Sequence, residues 1–458
     1  MIPPRLLAAI AAALGFGAAV GGPFHAHAAA APNHPRTTTP IEHLVVVMQE
    51  NHTYDNYFGT YPRGDGLPRG VCMPLDPDRK GGRCVRPFHI GDNGIVPRDL
   101  DHSRSTYLGQ LNGGRMDGFV RALERRNQDG RLAMAHYDGR DLPYYWNLAD
   151  EYVLFDRFFS SSGAGSFLNH FYWVAGAPAR SGDRISPAGV RGIPTIFDRL
   201  EEAGISWKFY VQNYEPRLTY RTVDRFPPNR ASQVIWVPLL NIPRFIDDPR
   251  LNRHIVDLHE YYRDAARGRL PAVAFIAPSG PSEHPPSSVV SGQAFVRTLI
   301  NQLVASPHWR RSAFLLTYDD WGGWYDHVRP PRVDAHGYGF RVPALLVSPY
   351  ARRGHVDSVV HDFTSILRFI EDNWRLKPLA QRDRRASSIA TGLDFGQPPR
   401  PPTFTSAVRS APAPDELRAR TALVYVLYGG AILLTAGLAV SASRRGKGRG
   451  SAPLGRRT

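Results

Sequence analysis

Cysteine is nearly absent from this chain: there are two in 458 residues, Cys72 and Cys84. A fold held together by a disulfide framework is therefore excluded, and no Cys/His spacing has the form of a structural zinc site. No segment repeats at the period that marks solenoids or propellers. Long apolar runs are missing from the whole interior and occur only near the two ends. With 42% hydrophobic residues, what lies between is apolar enough for a real core.

Charge of one sign is in excess, at +15, and its placement says more than its size. Arg5 precedes an apolar run over 6–22, and Ala26-His27-Ala28 follows as a small-x-small cleavage site. Residues 1–31 therefore read as a secretory signal peptide, with an uncleaved N-terminal anchor as the alternative. Residues 421–443 carry no charge and no polar face, which is the pattern of a single transmembrane helix rather than of a core helix. Arg444, Arg445, Lys447, Arg449, Arg456 and Arg457 then form a basic tail over 444–458, on the cytoplasmic side by the positive-inside rule. Of the net +15, Arg5 accounts for one charge and the tail for six, leaving +8 on 31–443.

The expectation is a single-pass protein of the cell membrane with its main domain on the extracytoplasmic side. A nucleic-acid binder would show a basic stripe with interleaved aromatics; here Arg is dispersed. In an oxidising compartment Cys72 and Cys84, in a Pro/Gly/Arg-rich loop, would pair as one local disulfide.

Between the ends lies one domain, 38–395, followed by a Pro-rich linker, 396–420, expected to be extended and semi-rigid. Short apolar runs at 41–48, 205–211, 272–277, 313–318 and 342–348 read as buried strands. Helical patterns at 193–203, 255–267, 292–305 and 363–374 alternate with them. The alternation predicts an α/β fold with a mostly parallel central sheet flanked by helices. Three long loops, 60–100, 212–250 and 375–420, are of a length that suits lids or substrate walls.

Ligands bind beyond the carboxyl ends of strands in such sheets. Gln49-Glu50-Asn51-His52 follow the first strand, Ser282-Glu283-His284-Pro285 come after the strand at 272–277, and Asp319-Asp320 begin the segment after 313–318. Alone, each is as readily a turn or a helix cap. Together they imply a cation, because gathered carboxylates repel one another unless one holds them. The oxygen set Glu50, Asn51, Asp319 and Asp320 suits a divalent Mg, Ca or Mn more than Zn, with identity open. The segment 160–170 (SSSGAGSFLNH) offers Ser166 as a nucleophile at the start of an apolar helix. It is not a lipase-type elbow, since it lacks G-x-S-x-G.

These motifs carry a resemblance. Residues 41–59 (IEHLVVVMQENHTYDNYFG) are similar to the opening motif of the bacterial phosphoesterase family of phospholipases C and acid phosphatases. Further motifs follow in the family's order. They include Asp101-His102, residues 112–119 (NGGRMDGF), 142–145 (LPYY), Ser166 to Asn169, Glu283 to Pro286, Asp319 to Val328, 339–343 (GFRVP) and 361–366 (HDFTSI).

The resemblance implies an alkaline-phosphatase-like α/β core and hydrolysis of phosphate esters. Glu50, Asn51, Asp319 and Asp320 would bind the divalent metal ion, and Ser166 would form a phosphoserine intermediate. His284, His102 and His327 would surround the phosphoryl group, with His284 as the first choice of general acid and the three interchangeable. Asn169, from the nucleophile motif, joins the catalytic set.

Three departures stand out. Asp320 occupies a position where the family usually has Glu, and His170 one where the phospholipases usually have Arg. The additional C-terminal β domains of the longer phospholipases are also missing. Phospholipid head groups and soluble monoesters both remain open as substrates, with Trp321, Trp324 and Tyr325 either lining a pocket for a choline-like cation or packing the loop. The contrasting expectation is a non-catalytic cell-surface binding protein that retains the fold. It requires loss of a ligand or nucleophile, and neither is lost.

Overall fold

A computed structural model describes residues 37–91, 98–179 and 182–409. The signal-peptide segment, the 421–443 run, the basic tail and the linker beyond 409 lie outside the described residues. Among those described, no helix is long and apolar enough to cross a membrane.

Eight strands form one sheet. They are β1 (His43–Gln49), β2 (Val153–Phe155), β3 (Trp207–Val211), β4 (Ile255–Asp257), β5 (Val273–Ala277), β6 (Ser312–Tyr318), β7 (Ala344–Val347) and β8 (His355–Asp357). Their spatial order is β8-β2-β7-β6-β1-β5-β3-β4. β1 lies between β6 and β5, parallel to both, with Val45 level with Phe314 on one side and Ala274 on the other. Residues 44–49 are buried on both faces of the sheet, which is why HLVVVMQ is apolar at consecutive rather than alternate positions. Burying each of its valines contributes about 1.5–3 kcal/mol.

All five predicted strands are present, and the fold is α/β with a mostly parallel sheet. One direction differs from the parallel expectation: β7 runs antiparallel to β6 and to β2. The helical pattern at 255–267 resolves into β4 followed by a helix, His259–Ala266. β2, β4 and β8 have three residues each, too few to display a period.

Helix α1 (Tyr54–Phe58) follows β1 and is capped by the Thr53 side chain. Further helices are α2 (Arg104–Leu111), α3 (Phe119–Glu124), α4 (Pro143–Glu151), α5 (Ser166–Ala175), α6 (Ile196–Glu202), α7 (His259–Ala266), α8 (Val289–Val304) and α9 (Phe363–Trp374). α5 positions the site. Gly165 precedes it, Gly176 ends it in the left-handed conformation at φ 63°, and Phe167 and Asn169 through Ala175 are all buried. Trp173 packs on Phe275 of β5 and Phe209 of β3, with ring centroids 4.6 and 5.6 Å apart. The helix is thus seated on the sheet.

The long loops are not structureless. Residues 228–252 hold four one-turn helices. Cys72 and Cys84 form a disulfide that closes one loop of the 60–100 segment. The described start of the linker is held to the domain: Asn147 Nδ2 donates to the carbonyls of Ser406 and Val408 at 2.9 and 3.0 Å.

Candidate active site

The carboxyl ends of β1 and β6 are neighbours, because the two strands are paired in parallel register through Gln49 and Tyr318. The next residues are therefore delivered together. Asp319 N donates to Gln49 O at 3.0 Å, and Glu50 N to Ser282 O at 3.0 Å, which ties in the segment after β5. Asn51, at φ 64°, turns back so that its own N–H reaches Asp319 Oδ1 at 2.9 Å. Glu50, Asn51, Asp319 and Asp320 are all buried. The predicted metal set is one cluster.

Ser166 completes it. Its hydroxyl lies 3.4 Å from Asp320 Oδ2 and 3.5 Å from Glu50 Oε2, at the first residue of α5. Burial, then the Asp319 carboxylate beside them, pushes Glu50 and Asp320 well above the usual carboxylate range.

The cluster fits a cation on two further observations. Asp319 Oδ2 is buried without a hydrogen-bond partner. The Asn51 amide has one end 3.3 Å from Asp319 Oδ1 and 3.1 Å from Asp320 Oδ1, and its other end 2.9 Å from His284 Nε2. His284 Nδ1 donates to Pro285 O at 2.9 Å, so in the neutral ring Nε2 is an acceptor. With its oxygen on His284 the Asn51 amide donates to both carboxylates; with its nitrogen on the neutral ring, the amide oxygen joins them. The arrangement is satisfied when a cation lies between those oxygens.

A cleft of about 470 Å³ opens at Ser166. His102, Asp99, Asp101, Asp183, Gln128 and Ile235 are among its lining residues, and no Arg or Lys is among the described ones. His102 gives its Nδ1 hydrogen to Leu100 O at 2.7 Å, leaving Nε2 for a ligand. Burial lowers its basicity, but Asp320, the Leu100 carbonyl, Asp99 and Asp319 outweigh this and push it up to about 9. The 60–100 and 212–250 loops thus reach the cleft as walls, through Asp99 and Leu100 and through Ile235.

The other predicted residues divide. His284 is near, on Asn51 and with its ring centroid 6.2 Å from that of His102. Asn169 is adjacent to the site but turned from it. Its oxygen accepts from Ser162 N at 2.9 Å and its nitrogen donates to Ala164 O at 2.9 Å and Ser162 O at 3.2 Å, so it splints the nucleophile loop.

His327 is not brought to the cluster. Its ring nitrogens face Asp55 Oδ2 at 2.6 Å and Asp65 Oδ1 at 3.2 Å, in a network built on buried Arg341. Trp321 and Trp324 are fully buried, with the Trp321 indole donating to Gln110 Oε1 at 2.6 Å. They pack the loop and do not line the cleft.

Three features have roles that the sequence does not assign. Asp183 caps α5, accepting from Gly165 N at 2.9 Å and Leu168 N at 3.2 Å, so its carboxylate stands beside Ser166. His170 turns toward Glu50 and Asp319, not toward the cleft. Glu283 is enclosed by the hydroxyls of Tyr57, Tyr145 and Tyr318, a cage fixing the segment that bears His284.

Known proteins resemble this chain in sequence. Phospholipase C A of Mycobacterium tuberculosis is 27% identical over 432 residues, 80% of this chain and 79% of that protein. Non-specific phospholipase C1 of Arabidopsis thaliana is 29% identical over 369 residues, 70% of this chain and 63% of that protein. A solved structure of a protein in the alkaline phosphatase superfamily from Vibrio parahaemolyticus aligns at 13% identity and a TM-score of 0.36, over 76% of this chain and 74% of that one. The sequence profile of the Phosphoesterase family matches residues 41–377, most of the chain. The chain belongs to the phosphoesterase family of phosphoric ester hydrolases.

Proposed function

We propose that the chain is a metal-dependent phosphodiesterase of the phospholipase C kind, acting through a phosphoserine on Ser166. The observation that carries this is the placing of the Ser166 hydroxyl against Glu50 and Asp320 at the start of α5. A divalent cation held by Glu50, Asn51, Asp319 and Asp320 would supply the charge that lowers the cost of the serine alkoxide and polarises a phosphoryl oxygen.

Ser166 directs its hydrogen toward the carboxylates and its oxygen attacks phosphorus. The P–O bond to the alcohol breaks as His102 gives the departing oxygen a proton. His102 suits this role better than His284, because it lines the cleft with Ser166. Water then cleaves the phosphoserine, giving a proton to His102, and the serine oxygen takes back the proton it had passed to the carboxylates.

The cleft favours a diester. A monoester carries up to two negative charges at working pH, and Asp99, Asp101 and Asp183 oppose them without a lysine or arginine among the described lining residues. A diester with a cationic head group meets those carboxylates favourably. The names of the relatives support the same substrate class.

The reading includes export, supported by the Cys72–Cys84 disulfide, and anchoring to the membrane through 421–443, supported by that apolar run. The test is hydrolysis of p-nitrophenyl phosphorylcholine against p-nitrophenyl phosphate, with and without prolonged EDTA, by wild type and Ser166→Ala. The expected result is faster cleavage of the diester, loss on chelation with recovery on adding a divalent ion, and no turnover by the variant. Full activity in Ser166→Ala overturns the reading.

A further inference from the structure

We infer that His170 is a nitrogen ligand of the cation held by Glu50, Asn51, Asp319 and Asp320. This gives the chain a mixed nitrogen–oxygen site that prefers Mn(II), Fe(II), Co(II) or Zn(II) over Mg(II) and Ca(II). The inference rests on the metal-dependent reading above and deepens it by naming a ligand and the class of ion.

His170 stands one helical turn after Ser166 on α5, with 1% of its side chain exposed. Its Nδ1 donates to Ser166 O at 2.8 Å, which fixes the neutral tautomer with a bare lone pair on Nε2. That nitrogen lies 3.6 Å from Glu50 Oε1, and the opposite ring nitrogen 4.0 Å from Asp319 Oδ2. Glu50, His170 and Asp319 each offer a donor atom within 4.8 Å of the others, and all three are buried.

His170 Nε2 thus faces Glu50 Oε1 without a hydrogen bond, and Asp319 Oδ2 is a buried oxygen that has no partner. Both conditions are relieved by one ion. A ring nitrogen given to a backbone carbonyl while its opposite faces an acidic cluster is also how metal-binding histidines are oriented. Imidazole in an oxygen set moves preference toward borderline transition metals, since Mg(II) and Ca(II) favour oxygen alone.

The test uses the full chain, purified in detergent, stripped with a chelator and loaded with Mn(II). Pulsed EPR of the bound ion reads nitrogen hyperfine coupling directly, without reference to activity. The expected result is ¹⁴N coupling in wild type that is lost in His170→Gln and kept in His102→Gln and His284→Gln. His170→Gln should also weaken Mn(II) binding about tenfold or more while Mg(II) binding changes little.

If His170→Gln does not fold, ¹⁵N-histidine labelling of wild type shows whether any histidine is bound, and the other two variants assign it by elimination. Bound Mn(II) without nitrogen coupling, or coupling that survives His170→Gln, overturns the inference and leaves the metal reading standing. Wild type that binds no Mn(II) overturns both.

Discussion

Ser166 Oγ lies 3.4 Å from Asp320 Oδ2, although 154 residues separate them in the chain. Topology alone makes the contact. Asp320 sits just beyond the central strand β6, and Ser166 opens a helix whose Trp173 is anchored on β3 and β5. As the proposed nucleophile, Ser166 held this way would have little freedom to lose on reaching the transition state.

Asp183 should set selectivity between ester classes. It places a carboxylate at the N-terminus of α5, in the wall of the cleft. Asp183→Asn removes a charge that opposes a dianion, worth about 1 kcal/mol in this partly wet setting, or about fivefold. The ratio of kcat/KM for p-nitrophenyl phosphate to that for p-nitrophenyl phosphorylcholine should rise by that factor. An unchanged ratio would remove Asp183 from the account of specificity.

Asn169 should act through the loop and not on the phosphate. Its amide satisfies the backbone of Ser162 and Ala164, so Asn169→Ala leaves buried groups unpaired at a cost of about 1–3 kcal/mol. Thermal unfolding should move down accordingly, and kcat should fall with KM nearly unchanged. A rise in KM with normal stability would instead mean direct contact with substrate.

Glu283 should make stability fall as pH rises. Burial raises its pKa to about 7 from an ordinary 4.5, against the hydrogen bonds from its tyrosines, which lower it. A carboxyl raised in the folded state contributes stability fully below its unfolded value near 4.5, and this is lost as pH climbs through 7. The span is worth about 3 kcal/mol. Denaturation midpoints measured from pH 4.5 to 8 should decline more steeply in wild type than in Glu283→Gln. Parallel curves would count against the shift.

Arg341 and His327 should matter for folding. Arg341 is fully buried, with Nε 2.9 Å from Asp326 Oδ1 and Nη2 3.0 Å from Asp55 Oδ1. Arg341→Met leaves two buried carboxylates without their cation, costing about 3–5 kcal/mol. His327→Gln should lower the unfolding temperature while keeping kcat within about twofold, since its ring bonds Asp55 and Asp65. Loss of turnover in a stably folded His327→Gln would return it to the phosphoryl group.

The central strands were legible in the sequence because a strand paired on both sides buries both faces, as Val45, Val46 and Val47 do. Strand direction was not: the apolar run that forms β7 carries no mark of running antiparallel. The convergence of Glu50, Asn51, Asp319 and Asp320 was legible because strand ends in parallel sheets converge, so these residues needed only their places after β1 and β6. Side-chain direction was not, and this is what separates His102 from His327, and the expected role of Asn169 from its observed one. Asp183 reaches α5 through tertiary return of the chain, which no local pattern records.

The measurement that bears most directly on the account is acid quenching of the enzyme during turnover of p-nitrophenyl phosphorylcholine, followed by mass spectrometry of its peptides. The account predicts the added phosphorylcholine on Ser166 and on no other residue, with no adduct and a loss of turnover of about a thousandfold or more in Ser166→Ala. Rapid turnover by Ser166→Ala, or an adduct on a different side chain, would contradict it.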